Sequence, residues 1–250
     1  MSIEKIKKFN KFRKNQKSGE YINKSQEKRR DNIFNKILDL IYPQICGICG
    51  KLNKQSLCNK CKVKLKTEFK FQTDSYENDI YINYIEHHYF FRYESLIRNQ
   101  IIGLKFQEKP YICKTIAYFL KKMEKSFENL KKYDIIVVVP ISKQRKKERG
   151  YNQTYIFAKE LAKIINIPIS KKTIYKIKNT VPQSSLNKKE REQNAKGIYK
   201  SNNIKKLSNK KILILDDVYT TGNTVNECAK TLTQKGIKRE NIGVLTIAKD

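Results

Sequence analysis

Apolar residues change their spacing along the second half of the chain, and the changes predict alternating strands and helices. Residues 134–140 and 211–216 are largely continuous apolar runs, typical of strands buried on both faces, and residues 242–248 form a third. Helical spacing predicts one helix from about residue 152 and another over residues 223–235. Strands that alternate with helices imply a parallel sheet with right-handed crossovers. The pattern therefore predicts an α/β fold.

The first half of the chain is less regular. Residues 33–41 place apolar side chains on one helical face, and Pro43 ends that pattern, so a short helix is predicted. Residues 81–93 are rich in Tyr, Ile and Phe and predict extended structure, for example a hairpin. The spacing over residues 94–104 and 109–123 predicts two further helices.

The charge balance is strongly basic. The chain has 54 Lys and Arg against 24 Asp and Glu, a formal net charge of +30. Such a surface concentrates polyanions, including phosphates and nucleic acid, although a Lys-favouring A/T-rich coding sequence is an alternative explanation. Eleven of the Lys and Arg lie in residues 1–30 among few apolar side chains, which predicts a flexible or marginally helical basic arm.

The composition also narrows the class of protein. Hydrophobic residues make up 39% of the chain, enough for a core but too few for a membrane-embedded protein. No apolar run approaches the roughly 20 residues of a membrane span, and residues 1–30 contain no apolar signal core. We therefore expect a cytoplasmic protein without a membrane span. In that reducing compartment the six cysteines are expected to be thiols or metal ligands.

Four cysteines form two CxxC pairs separated by eight residues: Cys46, Cys49, Cys58 and Cys61. Four thiolates from two tight turns can surround one tetrahedral Zn²⁺, and Gly47 and Gly50 allow the backbone to curl towards it. The alternative, thiols that fill a hydrophobic core, is disfavoured because the surrounding segment has few apolar residues. A redox site would need only one pair. Four cysteines leave no open coordination position, so a zinc ion held here would be structural.

A threonine-rich loop joins a predicted strand to a predicted helix within residues 212–225. A strand end, a glycine turn and a helix N-terminus direct backbone N–H groups at one point, which suits a phosphate dianion. Asp216 and Asp217 precede the loop and can accept hydrogen bonds from ribose hydroxyls or hold Mg²⁺. An ordinary capped turn would explain the threonines but not the two carboxylates. The candidate phosphate-binding residues are Thr220, Thr221, Gly222, Asn223 and Thr224.

These residues resemble the type I phosphoribosyltransferases, whose fingerprint for phosphoribosyl pyrophosphate (PRPP) is an apolar strand, two acids and a Thr-Thr-Gly loop. Together with the four cysteines, the resemblance narrows to the ComF family of competence-associated proteins. Tyr219 departs from that family, which commonly has a small or aliphatic residue there. Three further stretches are similar to the family: residues 101–106, residues 139–153, and the series Thr180, Gln183, Leu186, Arg191, Asn194, Gly197 and Tyr199.

The resemblance implies a domain organisation. We expect a basic flexible arm over residues 1–31 and a short helix with a zinc ribbon over residues 32–70. Residues 71–250 are expected to form a parallel-sheet type I phosphoribosyltransferase fold. Within that domain, residues 175–200 are polar and basic and lie where such folds place a mobile lid.

The resemblance also implies a chemistry, in which pyrophosphate is displaced from the ribose of PRPP. The loop would take the 5-phosphate, and the two acids would take the ribose hydroxyls or Mg²⁺ bound with PRPP. Cations would face the pyrophosphate, and Arg149 is favoured because Gly150 marks a constrained turn. His87 and His88 are expected to be structural. The catalytic candidates are Asp216, Asp217, Arg149 and Lys105, and Arg145 is a further candidate for binding PRPP.

Two functions of different classes follow from the resemblance and the charge. One is a PRPP-binding protein involved in DNA uptake, which would grip single-stranded DNA and act with a competence helicase or other uptake proteins. The other is a phosphoribosyltransferase that acts on an unknown small-molecule acceptor and has no role in nucleic-acid binding. The two acids and the loop are compatible with both.

Overall fold

A six-stranded sheet organises the part of the chain that the computed structural model describes, residues 45–170, 172–177, 197–202 and 204–250. Its strands are β1 (Phe69–Ser75), β2 (Glu86–Arg92), β3 (Ile135–Val138), β4 (Ile169–Ser170), β7 (Ile212–Tyr219) and β8 (Ile242–Lys249). Their order across the sheet is β1-β2-β8-β7-β3-β4. Only β1 is antiparallel to its neighbour. A separate antiparallel pair consists of β5 (Ile174–Lys176) and β6 (Tyr199–Ser201).

Six α-helices accompany the sheet within the described residues. They are α1 (Asn59–Glu68), α2 (Ser95–Phe106), α3 (Tyr111–Lys121), α4 (Lys143–Arg149), α5 (Gln153–Ile165) and α6 (Asn223–Thr233). Short 3₁₀ helices lie at Glu124–Lys132, Ile204–Leu207 and Arg239–Asn241. None of the helices in this part of the chain is both long and apolar enough to cross a membrane.

Alternate residues of the central strands pack into two hydrophobic layers, one on each face of the sheet. Leu213 and Leu215 of β7 belong to the larger layer, which also contains residues of α1, α2, α3 and α5. Ile212 and Ile214 belong to the other layer, which contains residues of α6. Because both faces are covered, β7 and β8 are apolar along most of their length. This confirms the α/β fold class and its mainly parallel sheet.

Several local predictions are confirmed with small shifts of boundary. The helices predicted from residues 94, 109, 152 and 223 are α2, α3, α5 and α6. In α6 the predicted inward residues Val225, Cys228, Ala229 and Leu232 are all buried. The predicted arm, the helix over residues 33–41 and most of the predicted lid lie outside the described residues.

Two local predictions are wrong. The strand predicted to end at Asp216 continues to Tyr219, because β7 stays paired with β8 as far as Lys249. Only residues 86–92 of the stretch over 81–93 form a strand, and the antiparallel partner of that strand is the unpredicted β1. Both errors involve pairing with residues that are distant in the chain. Residues 143–149, for which no element was predicted, form α4.

Candidate functional site

A cavity of about 540 Å³ opens where the chain leaves the carboxyl ends of β3 and β7. Loops at this edge of a parallel sheet are the usual place for ligand sites in α/β folds. The structure brings all ten predicted PRPP residues to its wall. These are Lys105, Arg145, Arg149, Asp216, Asp217, Thr220, Thr221, Gly222, Asn223 and Thr224.

The threonine-rich loop forms the N-terminus of α6. Gly222 is the N-cap residue and has φ 73°, a left-handed conformation that favours glycine. Glycine has no side chain that could cap the helix, and the first turn of α6 contains no acidic residue. The N–H groups and dipole of the first turn therefore make this end of the cavity attractive to an anion.

The two acids lie within β7, in different environments. Asp217 is 6% exposed. Its Oδ1 lies 2.9 Å from Lys105 Nζ, and its Oδ2 accepts a 2.8 Å hydrogen bond from Gln153 Nε2. Although burial alone would raise it, the Lys105 ammonium and the Gln153 amide hold the pKa of Asp217 below its usual value.

The pKa of Asp216 is shifted in the opposite direction to that of Asp217. Burial and the neighbouring Asp217 charge raise the pKa of Asp216 to about 7, against the 2.8 Å hydrogen bond that its Oδ1 accepts from the Asp217 backbone N–H. The pair therefore offers one firmly ionised carboxylate, already engaged by a lysine, and one carboxyl that loses its proton near neutral pH. A ligand hydroxyl or a cation would favour the ionised form of Asp216.

The predicted arginines are carried by α4 at the mouth of the cavity. Gly150 ends this helix with φ 73°, as the prediction of a constrained turn required. The guanidinium of Arg149 lies over the ring of Phe106 at 5.4 Å from its centroid. Burial, followed by the charge of Arg145, lowers the pKa of Arg149. These two cations therefore sit close enough together to favour a multivalent anion.

Gln153 and Lys176 are among the polar residues of the cavity wall that sequence reasoning missed. Gln153 lay inside a quoted motif but received no role, and the structure places it against Asp217. Lys176 ends β5, at the start of the predicted lid, and burial and Arg145 lower its pKa to about 8. The pairing of β5 with β6 joins the two ends of that lid segment. No local pattern could have shown that Lys176 faces Arg145.

The four predicted cysteines lie together, with their sulfur atoms all within 4.8 Å of one another. Cys49 Sγ and Cys58 Sγ are 3.9 Å apart, and a tetrahedral zinc site with bonds of about 2.3 Å places sulfurs about 3.8 Å apart. Burial opposes the change, but backbone N–H groups lower the pKa of Cys46 to about 6. Burial and the three neighbouring thiols raise the pKa of Cys61. The cluster is thus suited to hold a metal ion.

Two supporting arguments about this segment need correction. Gly47 has no left-handed backbone; a Cβ atom there would collide with Thr115 of α3, so its role is close packing. Gly50 does have φ 73°. The segment was also expected to be too polar for a core, but Cys46, Cys61 and Leu65 are buried in the larger hydrophobic layer.

Comparisons with known proteins agree with this geometry. Residues 121–250 match the family described as Phosphoribosyl transferase domain. The chain is 30% identical to Competence protein F of Haemophilus influenzae over 199 residues, 77% of this chain and 80% of that one. It is 27% identical to Competence protein ComFC of Bacillus subtilis over 203 residues, 80% of this chain and 75% of that one.

A third relative is DNA utilization protein YhgH of Salmonella typhimurium, 30% identical over 136 residues, 53% of this chain and 59% of that one. The sheet, the cavity at its carboxyl edge and the domain match define a protein with a phosphoribosyltransferase domain. Within that class, the chain belongs to the ComF family of competence-associated proteins.

Proposed function

We propose that the cavity binds PRPP together with Mg²⁺. The observation that carries the proposal is the convergence of the glycine-capped N-terminus of α6, two adjacent carboxyls and four cations on one cavity of about 540 Å³. PRPP has a terminal phosphate, a ribose diol and a pyrophosphate, and each of these groups finds its complement in that set. An ordinary strand-to-helix turn would leave the carboxyls and the facing cations unexplained.

In this proposal different residues bind the different groups of PRPP. The N–H groups of residues 220–224 hold the 5-phosphate. Asp216, which ionises near neutral pH, accepts ribose hydroxyls or holds Mg²⁺, and the cation would neutralise part of the pyrophosphate charge. Arg145 and Arg149 face the pyrophosphate. Asp217 orients the Lys105 ammonium through an ion pair, and it accepts a hydrogen bond from Gln153.

The cysteine cluster is proposed to hold one structural Zn²⁺. The chemistry of four thiolates favours zinc over hard cations such as Mg²⁺. The 3.9 Å between the sulfurs of Cys49 and Cys58 is close to the spacing of a tetrahedral site, and all four sulfurs lie within 4.8 Å of one another. Such an ion has no open position for a substrate. Its contribution would be to fix the two turns against α3.

The names of the relatives and the charge extend the proposal to DNA. Curated relatives are called competence and DNA utilization proteins, and this chain has a net charge of +30. We propose that it binds single-stranded DNA through phosphate contacts while the cavity holds PRPP. The competing function is a phosphoribosyltransferase that acts on a small-molecule acceptor and does not bind nucleic acid. Pyrophosphate release from PRPP, Mg²⁺ and a metabolite extract, without DNA affinity, would favour that competing function.

Thermal unfolding tests PRPP binding directly. PRPP with Mg²⁺ at 100 times its Kd should stabilise the wild type by about 2.7 kcal/mol, a rise of several degrees in Tm. Asp216→Asn/Asp217→Asn should abolish the rise while leaving the zinc content unchanged. Glu124→Gln/Glu128→Gln removes two carboxyls from a surface 3₁₀ helix outside the cavity and should respond like the wild type. An equal response of the Asp216/Asp217 variant would refute the assignment.

A further inference from the structure

Tyr219, the last residue of β7, lines the cavity, and its hydroxyl lies at a junction, within hydrogen-bond distance of two other tyrosine hydroxyls. Its side chain is 7% exposed. Its hydroxyl oxygen lies 2.9 Å from that of Tyr84 and 3.3 Å from that of Tyr76, and either partner can donate in each bond. Its ring stacks on His87 with 4.0 Å between centroids and 19° between planes. The side chain is therefore held on its face and at its tip.

The tip of Tyr219 also supports the turn of the phosphate loop. A Cβ atom added to Gly222 would collide with the Tyr219 hydroxyl. The backbone of Gly222 consequently packs directly on that hydroxyl, at the residue that caps α6. Two features therefore require glycine at position 222: the φ of 73° and the close contact with the Tyr219 hydroxyl. The position of the Tyr219 hydroxyl thus sets where the loop can turn.

The two partner hydroxyls are themselves anchored, because Tyr76 and Tyr84 lie near the two ends of the connection between β1 and β2. The guanidinium of Arg239 donates to three backbone carbonyls of this connection, those of Tyr76, Glu77 and Asp79, the last at 2.8 Å. Asn226 of α6 accepts hydrogen bonds of 2.8 and 3.1 Å from the backbone and side-chain nitrogens of Asn83. The junction therefore rests on a braced segment rather than on a free loop.

We propose that Tyr219 is a positioning residue that holds the phosphate loop in its anion-binding geometry through the hydroxyls of Tyr76 and Tyr84. The inference rests on the proposed function, since it assigns a support to the loop that would hold the 5-phosphate. Backbone N–H groups bind a phosphate well only when they are already aimed at one point, because reorienting them on binding costs affinity. Tyr76 and Tyr84 do not line the cavity, and their hydroxyls lie against that of Tyr219. Removing those two hydroxyls therefore tests the support of Tyr219 without altering the cavity wall.

Two variants and a matched control test this role. Tyr219→Phe keeps the ring and its stacking on His87 but removes the hydroxyl, and Tyr76→Phe/Tyr84→Phe removes the partner hydroxyls without changing any residue that lines the cavity. Tyr133→Phe is the control. Tyr133 is also buried, its hydroxyl also packs on a glycine, Gly243, and it lies 3.0 Å from His88 Nε2, but it is not part of the cavity wall.

Calorimetric titration with inorganic phosphate and with PRPP–Mg²⁺, alongside Tm, gives the readout. We expect both junction variants to raise the Kd of each ligand about tenfold, the scale of one or two net hydrogen bonds. The control should lower Tm but leave both Kd values unchanged. Junction variants that lower Tm and keep the wild-type Kd would overturn the inference and leave PRPP binding intact.

The wild-type titration separates the remaining outcomes. A wild type that binds phosphate but not PRPP, with the junction variants weakened, would refute the proposed PRPP function and support the positioning role of Tyr219. A wild type that binds neither ligand would overturn both. An effect of Tyr219→Phe without any effect of Tyr76→Phe/Tyr84→Phe would mean that Tyr219 contacts the ligand itself, which also contradicts the inference.

Discussion

The two histidines of β2 illustrate how burial decides the role of a single residue. His87 and His88 are completely buried. His87 Nε2 is 2.9 Å from Thr246 Oγ1, and His88 is bonded through both ring nitrogens, to Thr73 Oγ1 and to the Tyr133 hydroxyl. Neither histidine lines the cavity. Their contacts are those of structural residues within the sheet.

These histidines predict that the fold weakens in mild acid. Burial, reinforced by Lys249, lowers the pKa of His87 to about 3, and burial lowers that of His88 to about 4 although Glu86 opposes it. Both rings stay neutral in the folded state but bind protons in the unfolded state below about pH 6.5. The free energy of unfolding should therefore fall by about 1 kcal/mol per pH unit for each histidine as pH drops from 6 to 4.5.

Urea unfolding at several pH values measures this slope. His87→Gln/His88→Gln removes both histidines of the chain, so any slope that persists in the variant belongs to carboxylates and cysteine thiols. We expect the slope between pH 6 and 4.5 to become clearly shallower in the variant, whatever its absolute stability. A wild type whose stability is constant over that interval would contradict the pKa shifts.

At the scale of elements, a structure is predictable from sequence when its signal is local. The apolar stripes of α5 and α6 and the continuous apolar run of β7 come from residues close together in the chain, and those elements were predicted. Helix α4 has no buried residue, so it has no stripe to detect. The end of β7 was missed because its pairing with β8 extends the strand beyond the apolar run.

The same distinction applies to the candidate site. The loop, the two acids and the four cysteines are contiguous motifs, so their residues could be proposed from sequence alone. Contacts between distant segments could not. Tyr84 and Tyr219 are 135 positions apart, and Gln153 and Asp217 are 64 apart. Nothing in the spacing of either pair distinguishes it from any other pair of polar residues.

The cysteine turns support a prediction about metal and stability together. Cys46→Ser should reduce zinc from one ion per chain to well below one, because three thiolates hold the metal less tightly. Since Cys46 and Cys61 belong to the larger hydrophobic layer, the variant should lower the Tm of a single cooperative transition. Elemental analysis and calorimetry give the two readouts. Cys113→Ser, at a buried cysteine outside the cluster, should keep its zinc.

Two results would contradict the cysteine prediction in different ways. Reduced wild-type protein without bound zinc would refute the metal assignment. Two separate transitions, with only the smaller one shifted by Cys46→Ser, would indicate that residues 32–70 and 71–250 unfold independently, as the predicted domain boundary allows. The burial of Cys46 and Cys61 in the larger hydrophobic layer and the close packing of Gly47 on Thr115 of α3 favour the single transition.

At the scale of the whole molecule, the net positive charge of the chain is the feature that DNA binding would use. The surplus of Lys and Arg is spread along the chain, while the cavity concentrates acids and cations suited to one small anion. The affinity for a long polyanion would come mainly from the distributed positive charge, and the affinity for PRPP would come from the cavity. The two ligands are therefore expected to respond differently when charge is removed away from the cavity.

Deletion of residues 1–30 tests this separation, since that segment contributes eleven Lys and Arg and three Glu. Each DNA phosphate that the protein neutralises releases counterions, so log affinity for single-stranded DNA should fall with log salt by about 0.7 per contact. The deletion should weaken DNA binding and make that slope shallower, because it removes phosphate contacts. PRPP affinity, measured on the same samples, should not change.

Fluorescence anisotropy with a labelled oligothymidine over a series of salt concentrations measures both the affinity for DNA and its salt dependence. If the full-length chain shows no DNA binding even at low salt, the phosphoribosyltransferase without a nucleic-acid role becomes the better account, and the excess of lysine then reflects coding-sequence bias.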